Sequence, residues 1–192
     1  MKWLHFWLLR LQAIVCLLFA RPHHALKVFD TLVQDHDGRP YARASRAHLH
    51  AQAGRHQAAL DDYAVLLQNN PGDARAWFNQ GFVLELMERW DEALLSFRRA
   101  TELSPKLDRA WYGLGLVLIR LHRFDEAIVA LKTNTDLQPM SPYGWYQLAR
   151  VHADVQQPDE AARIIRHLKG FEPKVAAQLE RELGPFQAQA AS

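Results

Sequence analysis

The sequence predicts an all-α fold, a solenoid of antiparallel helix pairs, from a strict repeat and from its composition. Hydrophobic residues make up 49% of the 192 residues and charged residues 23%, which is typical of a chain that buries a core. Residues of the same type recur every 34 positions, as in helical arrays in which each repeat packs on the next. The recurring residues are a proline, an alanine and a tryptophan: Pro71, Pro105, Pro139 and Pro173; Ala59, Ala93, Ala127 and Ala161; and Trp77, Trp111 and Trp145.

The charge is almost balanced along most of the chain. The formal net charge is +2, from 23 Lys and Arg and 21 Asp and Glu, so the sequence shows no concentrated basic surface for nucleic acid. The first 50 residues differ, because they hold seven of the basic residues, three of the acidic residues and six of the ten histidines. We therefore expect no nucleic-acid partner, and we expect any unusual property to reside near the N-terminus.

Over one period the recurring residues follow the pattern W-x₂-L-G-x₂-Y, then A-x₃-F, then P. The third and fourth copies match it best, with Trp77, Gly81, Ala93, Phe97, Ala100 and Pro105 in one and Trp111, Leu114, Gly115, Ala127 and Pro139 in the other. On these residues the chain resembles the tetratricopeptide-repeat (TPR) family over most of its length, and in particular small membrane-attached TPR proteins of the bacterial type. The resemblance implies a right-handed superhelical solenoid of about five TPR units plus a C-terminal capping helix.

Each recurring residue has a structural role in a pair of helices, A and B. A small residue in helix A and the alanine in helix B lie where the two helices cross, because a larger side chain would hold the backbones apart. Tryptophan fills the space between one hairpin and the next. Proline ends helix B, and acidic pairs such as Asp91–Glu92 lie in its first turn, where the helix dipole favours them. The small residues of helix A are Ala47, Gly81, Gly115 and Ala149.

The period also predicts the boundaries of the repeats. Residues 1–20 form an apolar helix that is also helix A of a degenerate first repeat, since the frame places Ala25 and Phe29 in the alanine and aromatic positions of a following helix B, residues 21–39. We expect the C-terminal capping helix to end at Gly184–Pro185. The remaining units are TPRs at 40–73, 74–107, 108–141 and 142–173, then the capping helix and tail at 174–192.

The apolar segment 3–20 is interrupted only by His5, Arg10 and Gln12 and has three alternative roles. As a membrane span it is slightly short, and Arg10 near its middle costs about 2.5–3.5 kcal/mol on insertion. As an amphipathic helix it docks sideways, into a membrane interface or an apolar partner. The third role, a cleaved signal peptide, is disfavoured because cleavage would leave the first helix B without its partner.

We therefore expect residues 3–20 to attach the protein to a membrane. If the segment spans, Lys2 lies on one side and Arg21 and Lys27 on the other, and the positive-inside rule favours a cytoplasmic repeat domain. An exported protein remains an alternative. Another alternative is a structural subunit of a larger complex, in which the apolar first helix is buried against partner subunits.

The resemblance places the candidate site on a concave surface lined by helix A, where TPR arrays bind extended peptides or helices. The residues beside the motif positions combine aromatic side chains with arginine, and both types are enriched at binding hot spots. Ser45 lies among them. The candidate partner-binding residues are Tyr41, His48, Arg75, Phe78, Asn79, Phe82, Arg109, Tyr112, Leu116, Arg120, Tyr143, Tyr146, Gln147 and Arg150.

Chaperone-binding TPR domains grip a C-terminal carboxylate with a clamp of five residues, and this chain matches it incompletely. Asn79 and Arg109 occupy two of the clamp positions, whereas Ala44, His48 and Gly113 occupy the other three. These three residues cannot replace the missing Lys, Asn and Arg donors. The sequence therefore predicts a protein or peptide partner without predicting that specificity.

The ten histidines form neither a catalytic nor a metal-binding pattern. His23 and His24 are adjacent and point about 100° apart on a helix, and no cluster of cysteines or carboxylates accompanies them. The sequence also lacks a nucleophile elbow and a glycine-rich phosphate loop. We expect no catalytic residue, no metal and no cofactor. The predicted function is that of an interaction scaffold, a membrane-attached adaptor or assembly factor, and not of an enzyme.

Overall fold

The computed structural model describes the backbone of residues 2–19, 21–35 and 40–190 and the side chains of residues 5–16, 18–19, 21–34 and 40–184. The described residues form eleven α-helices and no strand, which confirms the predicted all-α helical solenoid. The helices are α1 (Lys2–Leu18), α2 (Pro22–Asp35), α3 (Pro40–Gln52), α4 (His56–Asn69), α5 (Ala74–Leu86), α6 (Trp90–Leu103), α7 (Asp108–Arg120), α8 (Phe124–Leu137), α9 (Pro142–Asp154), α10 (Pro158–Lys169) and α11 (Pro173–Ala190).

The helices fall into two compact units, Met1–Arg89 with α1–α5 and Trp90–Ser192 with α6–α11. Within each unit every helix packs against the next helix along the chain. Helix α3 also touches α5, and α7 touches α9, so these two pairs of successive helices A lie side by side within their units. Packing between neighbours is typical of solenoids, in which a single helix pair cannot bury its apolar face alone.

Small residues lie at the helix crossings, as the repeat predicts. Ala47 of α3 and Ala59 of α4 are fully buried. A Cβ atom on Gly115 of α7 would lie 2.7 Å from Leu131 Cγ of α8, closer than side-chain atoms normally approach. On the other side of α7, a Cβ atom on Gly113 would lie 2.6 Å from Phe97 Cζ of α6. Helix α7 therefore approaches both neighbours more closely than larger residues at these positions would allow.

The tryptophans make a hydrogen bond that the sequence analysis did not predict. In each case the indole N–H donates to the carbonyl oxygen of the proline six residues earlier, which lies between helix B and the next helix A. The three bonds are Trp77 to Pro71 at 2.9 Å, Trp111 to Pro105 at 2.8 Å and Trp145 to Pro139 at 2.9 Å. Each tryptophan thus ties the connection between two repeats to the helix that follows it.

A second regular feature lies in the turns between helix A and helix B. In the four such turns after α3, α5, α7 and α9, one residue has a positive φ: Gly54 at 72°, Glu88 at 57°, His122 at 58° and Gln156 at 58°. These four positions are again one period apart. Glycine adopts this left-handed conformation freely, whereas other residues lose about 1–2 kcal/mol, so only the turn at Gly54 carries a sequence signal for it.

The second repeat replaces an aromatic contact with a cluster of charges. Arg43 stands at the tryptophan position of α3, and its Nη1 lies 3.0 Å from Asp62 Oδ1 in α4. Arg46 donates to both oxygens of Asp62, at 2.8 Å from Nε and 2.7 Å from Nη2, and its Nη1 reaches Asp30 of α2 at 3.1 Å. We call Arg43, Arg46, Asp62 and Asp30 the charge cluster. It joins α2, α3 and α4.

The C-terminal helix is longer than predicted. We expected it to end at Gly184–Pro185, but α11 continues through both residues to Ala190. Proline removes one backbone hydrogen bond and crowds the carbonyl four residues earlier. That carbonyl belongs to Arg181, which is exposed, so water can satisfy it and the helix tolerates the proline.

Candidate partner-binding surfaces

The predicted residues of α3 line a cavity in the first unit. Tyr41, Ser45 and His48 lie along one side of α3, and together with neighbours they enclose a volume of about 500 Å³. The floor of this cavity is apolar, because the Phe29 ring of α2 meets the Tyr41 ring edge-on with their centroids 6.0 Å apart. The lining residues are Phe29, Tyr41, Ala44, Ser45, His48, Leu49 and Gln52.

Arg10 of α1, which is not among the predicted site residues, lies beside this cavity. Its guanidinium carbon lies 4.8 Å from the centroid of the Tyr41 ring and 5.0 Å from that of Trp7. A cation between two aromatic rings is held by their negative faces and keeps its donors for a carboxylate. The 34-residue period could have identified Arg10 as a site residue. Position 10 is one period before Ala44 and two periods before Phe78, which is a predicted site residue.

The predicted residues of α5 are partly accessible. Arg75 is exposed and Phe82 retains 46% of its surface, whereas Phe78 and Asn79 are half-buried. Asp73 positions the start of this helix, because its carboxylate accepts hydrogen bonds from the backbone N–H groups of Arg75 and Ala76, both at 3.0 Å. In the first unit, α5 therefore presents one cation and one accessible aromatic ring.

On α7, in the second unit, the predicted residues divide between surface and core. Arg109 and Arg120 are exposed, and the Arg120 guanidinium carbon lies 5.8 Å from the centroid of the Trp90 ring. Tyr112 is half-buried and packs against the core cluster that includes Leu131 and Leu148. Leu116 is half-buried. Removing the Tyr112 ring would therefore disturb the core as well as any contact with a partner.

On α9 the predicted residues contact the C-terminal helix. The Tyr146 hydroxyl donates to Glu182 Oε2 of α11 at 2.7 Å, and Arg150 lies 5.8 Å from the centroid of the Tyr146 ring. This hydrogen bond raises the pKa of Tyr146 and lowers the pKa of Glu182. Gln147 is half-buried, whereas Arg150 is exposed and Tyr143 has 70% of its surface exposed. Helix α11 thus accepts the hydrogen bond of the Tyr146 hydroxyl, whereas the Tyr143 side chain remains exposed to solvent.

Helix α1 is apolar on two opposite faces. Phe6 and Ala13 are buried in a core cluster with Ala25, Phe29 and Leu32 of α2 and its neighbours, and Leu9 and Cys16 pack partly against that cluster. The opposite face, which we call the outer face, consists of exposed side chains: Trp7, Leu8, Leu11, Ile14, Val15 and Leu18. At 17 residues α1 is short, and no described helix is both long and apolar enough to cross a bilayer.

The two histidines that replace bulky residues of the repeat belong to the packing. His152 is buried, and its Nδ1 atom lies 2.7 Å from Gln157 Oε1. His50 is half-buried near the charge cluster, where burial lowers its pKa and the cation Arg55 lowers it further. Among the described side chains, no three His, Cys, Asp or Glu residues converge as a metal site would require.

Comparison with known proteins identifies the repeat. A family model described as tetratricopeptide repeat matches residues 20–74, 45–108 and 87–133, which together span more than half of the 192 residues. The chain belongs to the tetratricopeptide repeat family. No curated protein sequence matches this TPR protein significantly.

Solved structures of other TPR proteins share its fold. A double mutant of MamA from strain RS-1 has a TM-score of 0.80 at 21% identity, with 92% of this chain and 95% of that chain covered. Residues 41 to the end of MamA from Desulfovibrio magneticus RS-1 have a TM-score of 0.79 at 22% identity, covering 92% and 96%. YrrB, described as a TPR protein with an unusual peptide-binding site, has a TM-score of 0.75 at 18% identity, covering 88% of each chain.

Proposed function

We propose that this TPR protein is a membrane-attached interaction scaffold that holds a peptide or helix of a partner protein on its helices A. The observation that carries the proposal is that arginine and aromatic side chains are accessible on these helices. Arg75 and Phe82 are exposed on α5, and Tyr143 is exposed on α9. A few residues carry most of the binding energy at protein interfaces, and tryptophan, tyrosine and arginine are enriched among them. YrrB, a structural neighbour, is described as having a peptide-binding site, and we extend peptide binding to this chain by analogy.

The proposal can be tested by photo-crosslinking in cells at matched surface positions. Replacing Phe82 or Tyr143 with p-benzoylphenylalanine keeps an aromatic ring on helix A. Leu95 of α6 and Val129 of α8 are the controls, since both are exposed apolar residues on helices B. We expect partner adducts from positions 82 and 143 and not from 95 and 129. Adducts mainly from the control positions would place the interface on helices B and contradict the proposal.

A second candidate function follows from the outer face of α1. In a structural subunit of a larger complex, this face would be buried permanently against partner subunits. Deleting residues 1–20 is a poor test, because it would also expose Phe29 and Leu32, which α1 helps to cover. Replacing Leu8, Leu11 and Leu18 with glutamine changes the outer face and leaves the inner stripe intact. If these replacements released the protein from a large assembly in detergent-treated membranes, the structural subunit would be the better description.

A further inference from the structure

The outer face of α1 is an uninterrupted apolar strip. At 100° per residue, its six side chains span an arc of about 120° around the helix. Leu8 is 58% exposed and Leu18 77% exposed, so the face lies open over the described length of the helix. Phe19, directly after α1, adds a ring that is 72% exposed. The centre of this arc lies opposite the stripe that packs against α2.

Polar residues mark the edges of the outer face and do not interrupt it. His5 and Gln12 project at one edge, and Arg10 projects at the other. An ordinary surface helix has a polar face opposite its buried stripe. Helix α1 instead has a second apolar face, whose edges carry the groups that can reach water or headgroups. This arrangement fits a helix that lies between its own domain and another apolar phase.

The charge around α1 is positive. The cations Arg21 and Lys27 follow the helix and are exposed. Asp30 is the only carboxylate among the described side chains of residues 5–34, and it is paired with Arg46. Basic residues beside an apolar face are attracted to anionic headgroups, each by about 1 kcal/mol. Trp7 adds a side chain that is enriched at the membrane–water boundary.

We propose that the outer face of α1 lies in one leaflet of an anionic bilayer, with the helix axis parallel to the membrane surface and the inner stripe still packed on α2. This inference rests on the proposed membrane attachment, which it deepens by naming the lipid class and the orientation. Charge complementarity favours the bilayer over a second copy of the chain, because two copies would bring like charges together.

The first experiment measures co-sedimentation of the full chain with phosphatidylcholine vesicles that contain or lack phosphatidylglycerol. We expect at least about tenfold stronger binding to the anionic vesicles and a decline with added salt. The triple variant Leu8→Gln, Leu11→Gln, Leu18→Gln should lose this binding. The control Leu95→Gln, Val129→Gln, which also makes exposed apolar positions polar, should keep it. Circular dichroism and thermal unfolding verify that each variant is folded.

The outcomes separate the inference from the proposed function on which it rests. Equal binding to neutral and anionic vesicles, abolished by the triple variant, would overturn the anionic preference while leaving membrane attachment in place. Vesicle binding unaffected by the triple variant would overturn the outer face as the contact. Failure to bind either vesicle would overturn the inference and the proposed attachment together. In that last case, a dimer broken by the triple variant would identify a second copy as the occupant of the face.

A second experiment tests the orientation with an environment-sensitive fluorophore. Leu8→Cys or Leu18→Cys is introduced in a Cys16→Ala background and labelled with nitrobenzoxadiazole. The two positions are about 15 Å apart along the helix, so a parallel helix places both labels at the same shallow depth. Quenching by lipids brominated at different acyl positions measures the depth of each label in the bilayer. Different depths at the two positions would show a tilted or spanning helix and overturn the parallel orientation.

Discussion

Arg43 changes the way in which one repeat is held together. At the same position three other repeats have a tryptophan that bonds the carbonyl oxygen of the preceding proline. Arg43 instead reaches Asp62, which is only 3% exposed and also receives Arg46. A carboxylate loses several kcal/mol of hydration on burial, so its cations must remain beside it. The members of the charge cluster therefore depend on one another.

We expect Asp62→Ala to lower the free energy of unfolding by about 3–5 kcal/mol, because it leaves the partly buried guanidinium of Arg43 without its carboxylate and that of Arg46 with Asp30 alone. Urea unfolding followed by circular dichroism measures the change. The control is Asp61→Ala, since Asp61 is an exposed carboxylate that accepts a hydrogen bond from Gln57. Its loss should change the free energy of unfolding by less than about 0.5 kcal/mol. Similar decreases in the free energy of unfolding for the two variants would show that the charge cluster contributes little to stability.

At the scale of helices, the distance between α7 and α8 depends on a residue without a side chain. Gly115 allows Leu131 to lie against the α7 backbone, and Leu131 is fully buried, so it has little room to move. A glycine within a helix costs about 1 kcal/mol in propensity relative to alanine. The close packing of the two helices offsets that cost, which explains a glycine at this point of the repeat.

We expect Gly115→Leu to lower the free energy of unfolding by about 1–3 kcal/mol or more, since an overpacked crossing forces α7 and α8 apart. The control is Gly184→Leu in α11, where a Cβ atom would meet nothing within 4 Å. There the better helix propensity of leucine should leave the stability unchanged or slightly higher. Thermal and urea unfolding distinguish the two outcomes, and equal stability of both variants would disprove close packing at Gly115.

Helix α1 shows how an apolar segment can serve two purposes. Its inner stripe completes the core around Phe29 and Leu32, and its outer face remains exposed. Hydrophobicity alone does not distinguish these roles, because both faces consist of the same residue types. The division follows from the helical period together with the position of α2.

At the scale of the whole molecule, each unit is held together by contacts between helices that are close in the chain. Stability in such an array is approximately a sum of local terms, so a defect affects its neighbours more than distant repeats. Helix α11 is the last element of the second unit and packs on α9 and α10. Leu179 of α11 is fully buried, so replacing it tests how the packing of α11 affects the rest of the array.

We expect Leu179→Ala to increase amide hydrogen exchange in α9, α10 and α11 and to leave α1 and α2 unchanged. The local cost of the lost side chain is about 2–5 kcal/mol. Mass spectrometry of proteolytic peptides resolves these regions. Lys174→Ala, on an exposed position of the same helix, is the control. A uniform increase along the chain would show that the array unfolds as one cooperative body instead.

Much of the fold was predictable because each repeat carries the same local information. Alanine at the crossing, acids at the start of helix B and proline after it act within a few residues of one another. The candidate site was less predictable. The frame indicates which residues lie on helix A, but not that Glu182 of α11 takes the Tyr146 hydroxyl or that Arg10 stacks on Tyr41. These contacts join residues of different helices, and no local pattern records them.

The sequence by itself determined the all-α solenoid and the period of its repeats, since short-range packing rules repeated along a chain add up to one architecture. Only the tertiary structure decided which residues of α1 are buried, why Arg43 is tolerated in place of tryptophan, and that α11 continues past Gly184–Pro185. The physical reason is that burial and ion pairing depend on neighbours from other helices, whose positions exist only once the chain has packed.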